Sequence, residues 1–196
     1  MSEGRAFASF GEIVQGRLSS GEDFLVTLPV DLWSHCRLIS QSNRKLSKDP
    51  FNKPQNGNGG KQFNELSDRV FGTPNIIETE LSKSKAIALA LLEHFDQTSG
   101  HHIQLIFNQN IPIGKGLSSS TADMLAVVRA FEAQFGVTLS PCLISELFTA
   151  IEPHDALHYP SCVAYNHRRG RLLQTFDYIL DFQIIGNHSG GVMSTQ

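Results

Sequence analysis

Residues 111–123 read IPIGKGLSSSTAD. Pro112, Gly114 and Gly116 break regular structure, and Leu117, three serines, a threonine and Asp123 then lead into a helical pattern. A helix start leaves backbone N–H groups without intrahelical acceptors and carries partial positive charge. Glycines just ahead of it let the backbone approach an anion closely, so strand, Gly-rich loop and helix together make a phosphate site. Two widespread forms of such a loop are excluded. One needs lysine followed directly by serine or threonine, whereas Lys115 precedes Gly116; the other needs a third glycine where Ser119 stands. A plainer reading competes with the phosphate. Ser120 and Asp123 have capping-box spacing, and Asp123 would then do no more than hold the helix start. A cap needs one serine, however, and does not need Gly114, Lys115 and Gly116 as well. On these residues alone both readings stay open.

Other reactive side chains are less suggestive. His154, His158 and the pair His101–His102 are metal-ligand types, but no cysteine or acidic partner stands at a fitting spacing, so they are expected to be surface or loop histidines. Cys36, Cys142 and Cys162 are scattered and odd in number. They fit neither a disulfide framework nor a metal pair and read as reduced thiols of a cytoplasmic protein.

The elements that must position these groups follow from pattern. The segments 24–30 and 35–40 look like strands, and 102–107, HIQLIF, alternates polar and apolar as a strand does. Residues 83–95 read as a helix packed on a sheet. After the quoted stretch, Met124, Val127, Val128, Phe131 and Phe135 recur at helical spacing until Gly136 stops them. Ser140 and Pro141 announce another helix, as N-cap and first helical residue, with Leu143, Ile144, Leu147, Phe148 and Ile151 as its apolar stripe. A loop, EPHDALHYP, covers 152–160; a hairpin and a last strand fill 161–185. The span 41–63, rich in Asn, Gly, Lys and Pro, reads as a mobile loop. Residues 1–185 thus form one α+β domain, and 186–196 read as a linker. Of the 196 residues, 40% are hydrophobic and 18% charged, enough apolar material for a real core. A net charge of -3 without a basic stripe argues against nucleic acid, and no apolar run is long enough for a membrane.

The order of motifs carries a resemblance. Pro112-x-Gly114-x-Gly116-Leu117-Ser118-Ser119-Ser120 resembles the phosphate-binding motif of the GHMP kinases, the superfamily of galactokinase, homoserine kinase, mevalonate kinase and phosphomevalonate kinase. The run from Lys115 to Asp123 is similar to that of the L-threonine kinase branch. Gly11-Glu12-Ile13-Val14-Gln15-Gly16 with Pro29-Val30-Asp31-Leu32-Trp33-Ser34, and Ile151-Glu152-Pro153-His154-Asp155, resemble two further segments of that branch. The resemblance implies an N-terminal α+β domain like domain 2 of ribosomal protein S5, with ATP, Mg²⁺ and transfer of the γ-phosphate to a small amino-acid alcohol. It implies that Pro112, Gly114, Lys115, Gly116, Leu117, Ser118, Ser119, Ser120 and Thr121 cradle the nucleotide phosphates. Lys115 would neutralise developing charge, and Ser120 would reach phosphate or Mg²⁺. Asp155 would accept the acceptor's hydroxyl proton or merely orient it, against the plain reading of a turn-forming Asp beside Pro153. Glu146 is the nearest helical glutamate for a second Mg²⁺ ligand, although the helical wheel sets it opposite the apolar stripe. Glu12 and Asp31 fall in segments that line the acceptor side.

Three departures from the branch carry expectations of their own. Ala8-Ser9-Phe10 stands where a Pro-Gly start and a cysteine are usual, which puts contacts near residue 10 in question. His154 replaces a threonine, so the acceptor need not be threonine. The family continues into a second domain with its own Gly-rich motif, and 186–196 would lead toward it. A kinase for homoserine, serine or another amino alcohol, a nucleotide-binding module without turnover, and a plain S5-like interaction domain are the alternatives.

Overall fold

The computed structural model describes residues 1–40, 76–95, 102–177, 183 and 185. The expected loop 41–63, the last strand near 180–186 and the linker 186–196 lie outside the described residues, as does His101. In chain order the elements are β1 (Ser2–Arg17), β2 (Asp23–Ser40), β3 (Ile76–Glu78), α1 (Ser82–His94), β4 (His102–Gln109), α2 (Ser119–Phe135), α3 (Pro141–Thr149), β5 (Cys162–Asn166) and β6 (Arg171–Phe176). The two segments expected as separate strands at 24–30 and 35–40 are one strand, because β2 keeps pairing through Asp31 to Trp33. The first segment, Ser2–Arg17, is a single strand of sixteen residues that runs through Gly16, and the short β3 carried no legible signal.

Strand β2 organises the sheet. Its second half pairs antiparallel with β4 and its first half with β5, while β1 runs antiparallel along nearly all of it. The order is β3-β4-β2-β5-β6 with β1 added on β2, and β3 runs parallel to β4. Helix α2 lies against β1 and β2, and α1 lies against α2. Gly4 is where β1 meets α2: a Cβ there would sit 2.2 Å from both the Ala126 carbonyl oxygen and the Ala130 amide nitrogen. Helix α2 is buried almost all round, from Thr121 to Val128, and forms the centre of the main core with Leu38, Ile87, Leu91, Ile103 and Phe148. A smaller core joins Leu25, Ala156, Val163 and Tyr165.

The register of β1 on β2 is interrupted where the sequence placed chemistry. Phe7 pairs with Trp33 but Ala8 with Val30, so Asp31 and Leu32 bulge from β2. Ser9 pairs with Pro29 and Glu12 with Thr27, so β1 carries one residue too many between them. Gly11, at φ 67°, supplies the left-handed conformation this second bulge uses. Pro29 has no N–H to donate and sits at the irregular register where that lack costs least. A third shift falls between Glu12 and Val14; bulges re-aim side chains, and these three breaks lie at Ser9, Glu12 and Asp31.

Candidate active site

The loop 111–118 turns through Gly114 at φ 68° and Gly116 at φ 72°, both left-handed. Ser118, the N-cap of α2, is also left-handed at φ 54°, the single non-glycine with positive φ among the described residues. An L-residue there costs roughly 1–2 kcal/mol. The strain accompanies a redirected side chain. Ser118 makes no capping bond; its hydroxyl donates instead to Asp155 Oδ2. Ser9 Oγ donates to the same Oδ2 at 3.1 Å and lies 2.5 Å from Ser118 Oγ. The backbone closes the junction, since Ser9 N–H donates to the Leu117 carbonyl at 3.3 Å. Strand β1, the loop before α2 and the loop after α3 therefore meet at Ser9, Ser118 and Asp155. Burial raises the pKa of Asp155, and the hydrogen bonds from Ser118 and Ser9 oppose that rise. Each serine has one hydroxyl hydrogen, so two hydrogens serve the three edges of the triangle.

With its cap hydroxyl diverted, α2 opens on the amides of Ser119, Ser120 and Thr121, which have no intrahelical acceptor by helix geometry. Ala122 N–H is the first to find one, on the Ser118 carbonyl at 3.0 Å. Ser119 and Ser120 are half-buried and Thr121 is buried. Lys115 is half-buried in the loop, Pro112 is exposed, and Leu117 packs against the main core. Asp123 is not a cap. It is 6% exposed, lies beyond the first turn, and accepts from Ser34 Oγ of β2 at 2.5 Å. Burial lifts its pKa to about 6.

Asp155 is held by its neighbours as well as by its own oxygen. Ala156 N–H donates to Thr27 Oγ1 at 3.2 Å. On the other side His154 is 3% exposed, with Nε2 2.7 Å from Tyr165 Oη and Nδ1 3.4 Å from the Glu152 carbonyl. Glu152 in turn forms an ion pair with Lys83 at the start of α1. His158 is 2% exposed and meets Ser145 Oγ through Nε2 at 2.7 Å. Both histidines lie in the 152–160 loop, as one of the two expected placements, but they are buried in it and not on the surface. The His for Thr exchange at 154 turns its ring into the core, so it does not by itself argue for another acceptor. No cluster of three potential metal-ligating side chains occurs among the described residues.

The remaining expected residues divide. Glu12 is exposed on β1, and its pKa is raised by partial burial and then by the charge of Asp155, against a lowering by His167. Glu12, Asp155 and His167 therefore share one neighbourhood, and the His167 carbonyl accepts from His154 N–H at 3.4 Å. Asp31 is exposed, accepts from Trp33 Nε1 at 2.5 Å, and lines a cavity of about 680 Å³ with Thr27, Pro29, Ala156, Tyr159 and Pro160. Glu146 is exposed on α3, where its carboxylate accepts from the Cys142 thiol at 3.6 Å; no described contact joins it to the Ser9–Ser118–Asp155 junction. Sequence reasoning missed Ser9, Thr27, Tyr165 and His167. Gly11 inside an apolar strand was the one signal that marked the bulge beside Ser9.

Residues 82–162 match the family model described as GHMP kinases N terminal domain. The chain is 25% identical over 162 residues to a Salmonella typhimurium protein named L-threonine kinase, and 26% identical over 162 residues to one of the same name from Citrobacter freundii. Each match takes in 82% of this chain, but only 43% and 44% of the relatives, so the chain spans less than half their length. Among solved structures, a mevalonate kinase superposes with a TM-score of 0.58 at 10% identity, over 90% of this chain and 57% of that one. The Methanococcus jannaschii mevalonate kinase gives 0.53 at 11% identity, over 89% and 55%. These two likenesses concern the fold.

Proposed function

We propose, from the match of residues 82–162 to the GHMP kinases N terminal domain, that the chain is the nucleotide-binding part of an ATP-dependent kinase acting on the side-chain hydroxyl of a small amino acid, L-threonine first. The observation that carries this reading is the junction of Ser9, Ser118 and Asp155, which sets a half-buried carboxylate at the mouth of the Gly-rich loop and the start of α2. A phosphoryl acceptor and donor must meet at such a place, and transfer needs mainly positioning and electrostatic stabilisation.

The residues present suit the donor. The segment from Pro112 to Thr121 offers glycine-shaped backbone and the opening amides of α2 to the phosphates, and Lys115 offers a cation. Mg²⁺ takes hard oxygen donors and keeps waters and substrate phosphates as its other ligands, so a hydroxyl from Ser120 would suit it. When bound, Mg²⁺ supplies charge neutralisation to the phosphates. Glu146 contributes nothing to this proposal, since it is exposed and engaged with Cys142. Glu12 and Asp31 line the acceptor side, one beside Asp155 and one at the cavity. Asp155 takes the hydroxyl proton, and its raised pKa favours holding it. The rest of the enzyme would be a second domain reached through 186–196.

One observation favours keeping the acceptor open: the cavity beside Asp31, at about 680 Å³, is in the range that takes drug-sized ligands. The test is Mg²⁺-dependent ATP consumption by the protein with a panel of L-threonine, serine, homoserine and larger amino alcohols. Stimulation by L-threonine with O-phosphothreonine as product is expected. Asp155→Asn should lower kcat by about 10²–10⁴-fold, the usual range for a general base. No stimulation by any member of the panel would end the kinase reading, and a loss below about tenfold in Asp155→Asn would leave Asp155 only an orienting role.

A further inference from the structure

The loop bearing Asp155 is fixed by a buried side-chain relay that phosphate binding does not explain. The Glu152 carbonyl can only accept a hydrogen bond, so the His154 nitrogen facing it, Nδ1, must carry the hydrogen. Nε2 is then a bare acceptor, and the hydroxyl 2.7 Å away on Tyr165 must donate to it. The chain of donors runs one way: Tyr165 Oη–H to His154 Nε2, and His154 Nδ1–H to Glu152. Tyr165 is fully buried on β5, Phe148 of α3 packs edge-on to the imidazole at 5.2 Å between ring centres, and His158 lies 5.5 Å away. These contacts fit one tautomer and one orientation of the ring, which belongs to the residue immediately before Asp155.

We propose that His154 and Tyr165 are positioning residues for Asp155: the relay holds the 152–155 turn so that the carboxylate stays on Ser9 and Ser118 facing the transferred phosphoryl group. Thr27 holds the other flank through Ala156 N–H, so Asp155 is fixed on both sides. The neutral state that the relay requires is stable, because burial depresses the His154 pKa to about 4. Threonine, usual at this position in the resembling branch, is too short to span from Glu152 to Tyr165; here the imidazole of His154 does so. This inference rests on the kinase reading for its catalytic consequence, but the relay itself does not.

Two measurements test the two parts. In ¹⁵N-labelled protein at neutral pH, the His154 ring should show a protonated Nδ1 and an unprotonated Nε2; Tyr165→Phe should release it toward exchange between tautomers. An Nε2–H tautomer in the unaltered protein overturns the relay whatever the protein phosphorylates. In kinetics with Mg-ATP and the stimulating acceptor, Tyr165→Phe should lower kcat about ten- to hundredfold with KM for ATP changed less than about threefold, as expected for displaced reacting groups. His154→Gln keeps a carbonyl acceptor near the Nε2 position and should retain kcat better than His154→Ala. If Tyr165→Phe lowers Tm but leaves kcat unaltered, or if Gln and Ala are equally poor at equal Tm, the pair is structural only and the positioning role is overturned. A protein with the Nδ1–H tautomer but no kinase activity on the whole panel removes the kinase reading, and the catalytic role with it, while leaving the relay standing.

Discussion

At the scale of single residues, Ser118 carries the clearest conflict between local preference and tertiary need. A serine at φ 54° is strained, and glycine is the residue that removes the strain. Serine stands there because its hydroxyl meets Asp155. The two demands predict opposite outcomes for two substitutions. Ser118→Gly relieves about 1–2 kcal/mol of backbone strain and gives back about 0.5–1 kcal/mol in unfolded-state entropy plus a hydrogen bond of about 1 kcal/mol, so Tm should stay within a few degrees. Ser118→Ala keeps the strain and loses the bond, so its Tm should fall further. Both should lose activity, and a fully active Ser118→Gly would remove Ser118 from the site. The glycines of this loop were legible from sequence because positive φ is a property of the residue itself. The role of Asp123 was not: the spacing to Ser120 imitates a cap, whereas the actual partner, Ser34, is 89 residues away on β2. Ser9 was hidden for the same reason, its partners lying at 118 and 155.

At the scale of elements, helices declared their ends and strands did not. Ser140 caps α3 by accepting from Leu143 N–H at 3.2 Å, Pro141 follows it, and Gly136 closes α2 at φ 70°, all as their types require. The extent of β1 and β2 was harder to read, because their bulges break the period of two on which strand reading depends. Those breaks fall at Ser9, Glu12 and Asp31, beside the proposed site, and nowhere near the regular end at Ser2. The regular end has a different constraint. Gly4 lets α2 approach β1 to backbone contact, and Ser2 Oγ donates to the Ala130 carbonyl at 2.8 Å beside it. Gly4→Ala would drive a methyl group into backbone that cannot swing aside, and should cost at least the about 1–3 kcal/mol typical of overpacking. Because the loop proposed to bind phosphate sits on the N-terminus of α2, the same substitution should also weaken ATP binding. Gly21→Ala, at a positive φ with nothing within 4 Å, should cost only the backbone strain and leave ATP binding unchanged. Urea unfolding and calorimetric titration with Mg-ATP measure both; equal effects of the two substitutions would refute the close-approach argument.

At the scale of the whole molecule, buried titratable groups of opposite sign decide how the fold responds to acid. His154 and His158 are held by burial at pKa values of about 4 and about 3, below the ordinary 6.5. The unfolded chain binds protons that the folded one refuses, so their contribution is fully present above pH about 6.5 and is lost as pH falls toward 4 and 3. Asp123 acts the other way. Its carboxyl is raised from 3.8 to about 6, so its contribution is fully present below pH 3.8 and is lost as pH rises through 6. Asp155 and Glu12 are raised as well and share that direction. Each pH unit between folded and unfolded pKa is worth about 1.4 kcal/mol, so over the window from pH 7 to 5 two histidines lose more than Asp123 regains. Stability by urea unfolding should therefore fall from pH 7 to 5, with Asp155 and Glu12 offsetting part of the fall alongside Asp123. His158→Gln should flatten the fall, since it removes one depressed imidazole. Asp123→Asn should steepen it, since it removes the carboxyl that recovers stability on protonation, and should raise stability most above pH 6. A profile that is level from pH 7 to 5 in the unaltered protein, or that Asp123→Asn leaves with the same slope, would show that these groups are not buried as the fold places them. The same profile bears on function, because the histidines that lose the fold in acid are those packed behind Asp155: activity should decline with the stability of the 152–158 loop before the sheet itself unfolds.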